Sequence, residues 1–207
     1  MRISAILGLA LGASAAMAAS GIAQQTAKVD TAVVDKYVGA MIGKASPEWR
    51  KRMELDEAQK LCSDHKNELP AALVSKMLES QKKTVVFPAD GNVMGDWREG
   101  AKIAQNGRGG QFSDPANTVG GGNCYACHQL SKAEVSYGTM GPSLNEYGKI
   151  KRFRPDEAKA AFAKIYNSMS VFPCSNMPRF GLTKALSEQQ IKDVVAYLFD
   201  PESPVNK

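Results

Sequence analysis

The sequence predicts an all-α protein. Apolar residues recur at helical rather than alternating spacing along most of the chain. Several of these runs begin with helix-start chemistry, a capping Ser or a Pro at the first position. No unit of strand, crossover helix and strand is visible. With 207 residues, 43% hydrophobic and 23% charged, the chain has room for one ordinary soluble domain plus an extension.

Residues 1–18 look like a signal peptide. Arg2 gives a positive start, Ile3 to Leu11 a short apolar run, and Ala16-Met17-Ala18 the small-x-small pattern read by signal peptidase, with Ala19 and Ala23 as alternative cleavage points. That run is too short to span a bilayer, and no later segment approaches the roughly 20 apolar residues required. The mature protein is therefore expected in the periplasm, and not membrane-spanning.

Residues 19–92 read as a helical N-terminal extension. Val34, Val38, Met41 and Ile42 share one helical face, as do Leu73, Met77 and Leu78. Ser46-Pro47 marks a helix start, and three short helices are expected. Thr84 to Phe87, closed by Pro88, is a linker or a short strand. Residues 93–207 form the main domain. A helix begins near Asp96 with Trp97, Ala101, Ile103 and Ala104, and Asn106-Gly107 ends it as a C-cap. Gly107 to Gly122 is a glycine-rich loop. Pro155 opens a helix through Ala158, Phe162, Ile165 and Tyr166. Ser187 and Gln190 form a capping-box pattern, followed by an apolar face of Ile191, Val194, Val195 and Leu198, and Pro201 stops the helix.

The formal charge of +5 is spread along the chain, densest at Lys82-Lys83, Lys149 and Lys151-Arg152. These read as solvated surface, with a fringe for an acidic redox partner as the alternative. No basic stripe is interleaved with stacking aromatics, so nucleic acid is not expected as a partner.

Chemistry concentrates at Cys124-Tyr125-Ala126-Cys127-His128. Two thiols separated by two residues reach both vinyl groups of one porphyrin, and the adjoining imidazole is carried to the iron. One covalent haem c is therefore expected on Cys124 and Cys127, with His128 as an axial ligand. A zinc half-site would need two further ligands, and only Cys62, His65 and Cys174 are left. A thioredoxin-like pair would need a strand in a βαβ unit.

The second axial ligand is expected to be Met177, in Ser175-Asn176-Met177-Pro178, because class I cytochromes c present a thioether from a Met-Pro loop before the last helix. Met169, Met140 and a histidine from elsewhere are the rivals. Gly141-Pro142 lies where a carbonyl would accept the ring N–H of the proximal histidine. Cys62 and Cys174 are expected to pair, because an oxidising compartment consumes free thiols, and a loop of over a hundred residues would gain about 4 to 5 kcal/mol. A reactive thiol or an intermolecular bridge stays open. The fold then reads as a class I cytochrome c-like haem domain with its extension.

Gly122-Asn123-Cys124-Tyr125-Ala126-Cys127-His128, Gly141-Pro142-Ser143-Leu144-Asn145-Glu146-Tyr147-Gly148 and Phe172-Pro173-Cys174-Ser175-Asn176-Met177-Pro178-Arg179-Phe180-Gly181 together resemble SoxX, the monohaem cytochrome of the bacterial Sox sulfur-oxidation system. The resemblance covers roughly residues 93 to 201. It implies a heterodimer with a SoxA-like cytochrome subunit, the pair acting as an L-cysteine S-thiosulfotransferase on a SoxYZ-like carrier protein, with electrons leaving to an acceptor cytochrome c. The catalytic cysteine would lie on the partner, leaving this chain without a catalytic residue of its own. A stand-alone electron shuttle is the alternative. A haem sensor or peroxidase-like enzyme would instead need an open iron position.

Overall fold

The structure, a computed structural model, describes residues 30–207 apart from 112 and 116, so the leader expected over residues 1–18 lies outside the described residues. The fold is all-α as predicted: among the described residues every regular element is helical. The chain divides into two compact units, one ending at residue 50 and one covering residues 51–207.

In the first unit, α1 (Thr31–Ile42) opens on Asp30, whose side chain accepts the Ala32 N–H at 3.0 Å. α2 (Pro47–Met53) starts at the Ser46-Pro47 signal and runs across the unit boundary. The second unit begins with α3 (Glu57–Asp64) and α4 (Ala71–Lys82). Among the described residues four helices thus stand where spacing suggested three. The additional break comes from a capping box at Asp56. The Asp56 carboxylate accepts the Gln59 N–H at 2.9 Å, and the Gln59 side chain accepts the Asp56 N–H at 3.0 Å.

Thr84 to Phe87 forms no strand. The Thr84 hydroxyl turns back to donate to the Gln81 carbonyl at 2.7 Å, finishing α4, and Phe87 stacks on Phe162 with ring centroids 5.6 Å apart.

The main core is organised by α5 (Trp97–Gln105), α7 (Pro155–Tyr166) and α8 (Glu188–Phe199), with the short α6 (Tyr147–Ile150) closing one side. Pro155 occupies the first turn of α7, and the Ser187–Gln190 capping box starts α8. Sequence spacing gave α8 a single apolar face, yet Ala196, Tyr197 and Phe199 are buried as well. A helix apolar nearly all round belongs in the interior, and α8 packs against α5, α6 and α7 together.

The α5–α8 crossing is unusually close. A Cβ at Gly100 would overlap the Asp193 carbonyl oxygen, and a Cβ at Gly95 would overlap the Asp193 carboxylate. That carboxylate is buried, and it accepts the Asp96 N–H at 2.9 Å and a Gln189 side-chain N–H at 2.8 Å. α8 thereby caps the entry of α5.

The C-terminus is anchored by Asn206. Its amide donates to the Leu198 and Asp200 carbonyls at 3.0 and 2.9 Å, and its oxygen accepts the Lys149 N–H at 3.2 Å. A second, smaller core joins α3 and α4 to a 3₁₀ turn over Ser168–Ser170: Ala58, Cys62, Met77, Met169 and Cys174 are buried together.

Candidate functional site

The loop after α5 delivers the Cys-x-x-Cys-His motif. Residues 107–122 leave and return to the end of α5. The Gly121 N–H donates to the Arg108 carbonyl (2.9 Å), the Gly122 N–H to Ile103 (2.9 Å) and the Asn123 N–H to Asn106 (3.0 Å). The glycines have a steric reason here. A Cβ at Gly121 would overlap the Asn106 backbone, and Gly109, at φ +93°, lies against Gly120. Asn106 itself is extended (φ −89°, ψ 115°) rather than left-handed, so the expected glycine-type cap gives way to this ring of loop bonds.

Asn123, left-handed at φ 49°, then turns the chain into a 3₁₀ turn over Cys124–Ala126. The Cys127 and His128 N–H groups both donate to the Cys124 carbonyl, at 3.1 and 2.9 Å. One tight turn thus sets both thiols and the imidazole. The returning segment locks it from outside, because the Gly138 N–H donates to the Tyr125 carbonyl and the Gly141 N–H to that of Cys127, each at 2.8 Å. The Leu144 N–H donates to Gln129 at 2.7 Å. The Glu134 carboxylate accepts the Leu130 and Ser131 N–H groups at 2.6 and 3.3 Å, closing the intervening bend.

The His128 ring is fixed on two sides. Its Nδ1 lies 2.7 Å from the Pro142 carbonyl oxygen, so Nδ1 carries the proton and Nε2 keeps its lone pair for a metal. Gly141 packs flat on the imidazole, where a Cβ would overlap the ring.

The residues fit a covalent haem. Cys124 and Cys127 are unpaired, while Cys62 and Cys174 are bonded to each other. Burial pushes the Cys124 thiol up to about 12, leaving it neutral. Cys124, Leu144, Tyr147, Trp97 and Met177 are partly buried apolar groups that pack against the main core. Among the described residues no group of three or more His, Cys, Asp or Glu comes together, so the zinc reading lacks its remaining ligands.

The three methionine rivals differ in environment. Met169 is buried in the small core with Cys62 and Cys174, whereas Met140 is 84% exposed. Met177 is half-buried against the main core. Its backbone is held from both sides: its N–H donates to the Ser175 hydroxyl at 3.2 Å, and its carbonyl accepts from the buried Ser168 hydroxyl at 2.5 Å. His65 serves as the C-cap of α3.

Cys62 and Cys174, 112 residues apart, form a disulfide with their Cα atoms 5.4 Å apart. Nearby, the buried Arg179 donates to the Asp56 carboxylate at 2.5 Å. Burial pushes the Asp56 carboxyl up, but the Gln59 N–H, the Arg179 guanidinium and the Ala58 N–H together hold it below the usual carboxylate value.

No individual role for Ser168, Asn167, Asp56 or Arg179 was legible in the sequence. Only Asp56 left a local trace, in the Asp-x-x-Gln spacing of its capping box. The others act through partners far along the chain.

Residues 98–200 match the family model for cytochrome c. An uncharacterized lipoprotein of Aquifex aeolicus (strain VF5) is 38% identical to this chain over 205 residues, covering 96% of this chain and 97% of that protein.

Proposed function

Since this chain belongs to the cytochrome c family, we propose that it is an exported monohaem electron-transfer protein and the electron-accepting subunit of a SoxAX-type L-cysteine S-thiosulfotransferase. The observation that carries the haem reading is the Cys124–His128 turn, with His128 Nδ1 committed to the Pro142 carbonyl. Bound there, haem c supplies a one-electron carrier.

The chain's own residues do the rest. Cys124 and Cys127 would hold the group through thioether bonds, and His128 would offer its Nε2 lone pair to the iron. Met177 would supply a thioether to the same iron, and a thioether favours the reduced state and so raises the potential. Among the described residues no helix is long and apolar enough to cross a membrane. The description of the Aquifex aeolicus relative as a lipoprotein supports an extracytoplasmic place, which for this chain we take to be the periplasm.

The finer assignment rests on the resemblance to SoxX around Phe172–Gly181. In that scheme a carrier-protein cysteine thiol on a SoxYZ-like protein and one thiosulfate join through a new S–S bond, releasing one proton and two electrons. The catalytic cysteine, distinct from the carrier's, would belong to a SoxA-like partner. The electrons leave singly through this subunit to an acceptor cytochrome c.

Coexpression with a SoxA-like partner should give a stable heterodimer that reduces the acceptor only when thiosulfate and carrier protein are both supplied. A chain that purifies alone and reduces the acceptor without a partner would instead be a free shuttle.

A further inference from the structure

The loop that presents Met177 is gripped by the N-terminal helices α3 and α4 at points on both sides of the methionine. Three residues before it, Cys174 is bonded to Cys62 of α3. Two residues after it, Arg179 is 9% exposed and paired with Asp56, the N-cap of α3. Ser168, wholly buried, donates to the Met177 carbonyl at 2.5 Å. Its neighbour Asn167, also wholly buried, donates to the Gln81 and Thr84 side chains at 3.0 and 2.8 Å, binding the 3₁₀ turn to the end of α4.

Packing around this loop is incomplete on one side. A cavity of about 520 Å³ lies beside it, lined by Cys62, Met169, Cys174, Met177 and Arg179 among others. A loop that borders such a space has room to fall back, and the tethers oppose that movement.

We infer that α3 and α4 form a strap that positions the Met177 thioether, with Ser168 and the Cys62–Cys174 bond as positioning elements. The inference rests on Met177 as the axial ligand. Without the strap, the loop retreats toward the cavity and the methionine spends more time off the iron.

The test uses the full-length ferric holoprotein and reads three quantities: the far-red methionine–iron charge-transfer band, the rate of cyanide capture, which requires the methionine to leave, and the haem potential. Variants are Ser168→Ala, the double variant Cys62→Ser/Cys174→Ser, Asp56→Asn, and Met177→Ala as reference. The wild type should show the band and Met177→Ala should lack it. Ser168→Ala should capture cyanide about tenfold faster, the factor expected when one buried carbonyl loses its donor. The double variant should be faster still, and both should have lowered potentials, because the thioether's preference for ferrous iron weakens.

A wild-type protein without the band, or a Met177→Ala variant that keeps it, removes Met177 as ligand and the strap with it. A wild-type band together with unchanged cyanide rate and potential in Ser168→Ala overturns the strap and leaves the ligand in place. Should the double cysteine variant not fold, Ser168→Ala and Asp56→Asn, which keep the disulfide, decide the matter.

Discussion

Gly100→Ala should destabilise this protein, although alanine is the better helix former. In an unobstructed helix interior the change gains about 1 kcal/mol, because alanine has less backbone freedom to lose than glycine. At this position the new methyl would overlap the Asp193 carbonyl oxygen and sit 2.9 Å from the Tyr197 Cβ. Neither neighbour can yield, since Asp193 and Tyr197 are both buried on the central helix α8. The two helices must part, and an opening of about 1 Å forfeits a quarter to a half of each dispersion contact across the seam. An overlap this deep with backbone atoms falls in the upper part of the usual overpacking range, about 2 to 3 kcal/mol, so the net loss is about 1 to 2 kcal/mol after the propensity gain. For a domain of this size that lowers the midpoint by about 2 to 8 °C. Thermal unfolding of the holoprotein, followed by circular dichroism, measures it. The exposed neighbour change Glu99→Ala serves as control and should stay within about 0.5 kcal/mol of wild type. A Gly100→Ala protein as stable as wild type or more so would refute the close crossing, because only helix propensity would then be acting.

Asp56→Asn keeps a side chain that caps helices well while removing the charge that meets Arg179. The folded Asp56 carboxyl titrates below its unfolded value of about 4, so its contribution is complete above about pH 4 and disappears as pH falls through the folded value. Asp56 is 46% exposed, so urea midpoints of the two proteins should differ by less than about 1 kcal/mol at pH 7 and converge near pH 3. Convergence on raising the pH would contradict the ion pair. Asn206→Ala strips donors from the Leu198 and Asp200 carbonyls and an acceptor from Lys149, and should cost about 2 to 3 kcal/mol in urea unfolding. Gly141→Ala should displace the imidazole from the Pro142 carbonyl, make the proximal ligand less basic and raise the haem potential, with both thioether links intact by mass. An unaltered potential and spectrum would show that Gly141 does not hold the ring.

Signals contained within a few residues were legible in the sequence. Ser46-Pro47, Pro155 and the Ser187–Gln190 pair mark helix starts by local chemistry, and each helix begins where they stand. The Cys124–His128 motif is legible for the same reason, since its two thiols and imidazole lie on one turn. Gly100 is the opposite case. Inside a helical run it reads only as a weak helix former, and its purpose appears once Asp193 stands against it. Asn206 and Ser168 are likewise silent, because a short polar side chain carries no trace of which distant carbonyl it will meet. The four-residue α6 falls below the length at which helical periodicity can be recognised.

The contact between Gly95 and Lys192 spans 97 positions of chain, and the whole attachment turn at 124–128 lies inside that span. Synthesis runs from the N-terminus, so α5 and the two half-buried thiols emerge well before α8, the helix that packs against α5, is available. Through that interval Cys124 and Cys127 are accessible, and the α5–α8 seam closes last.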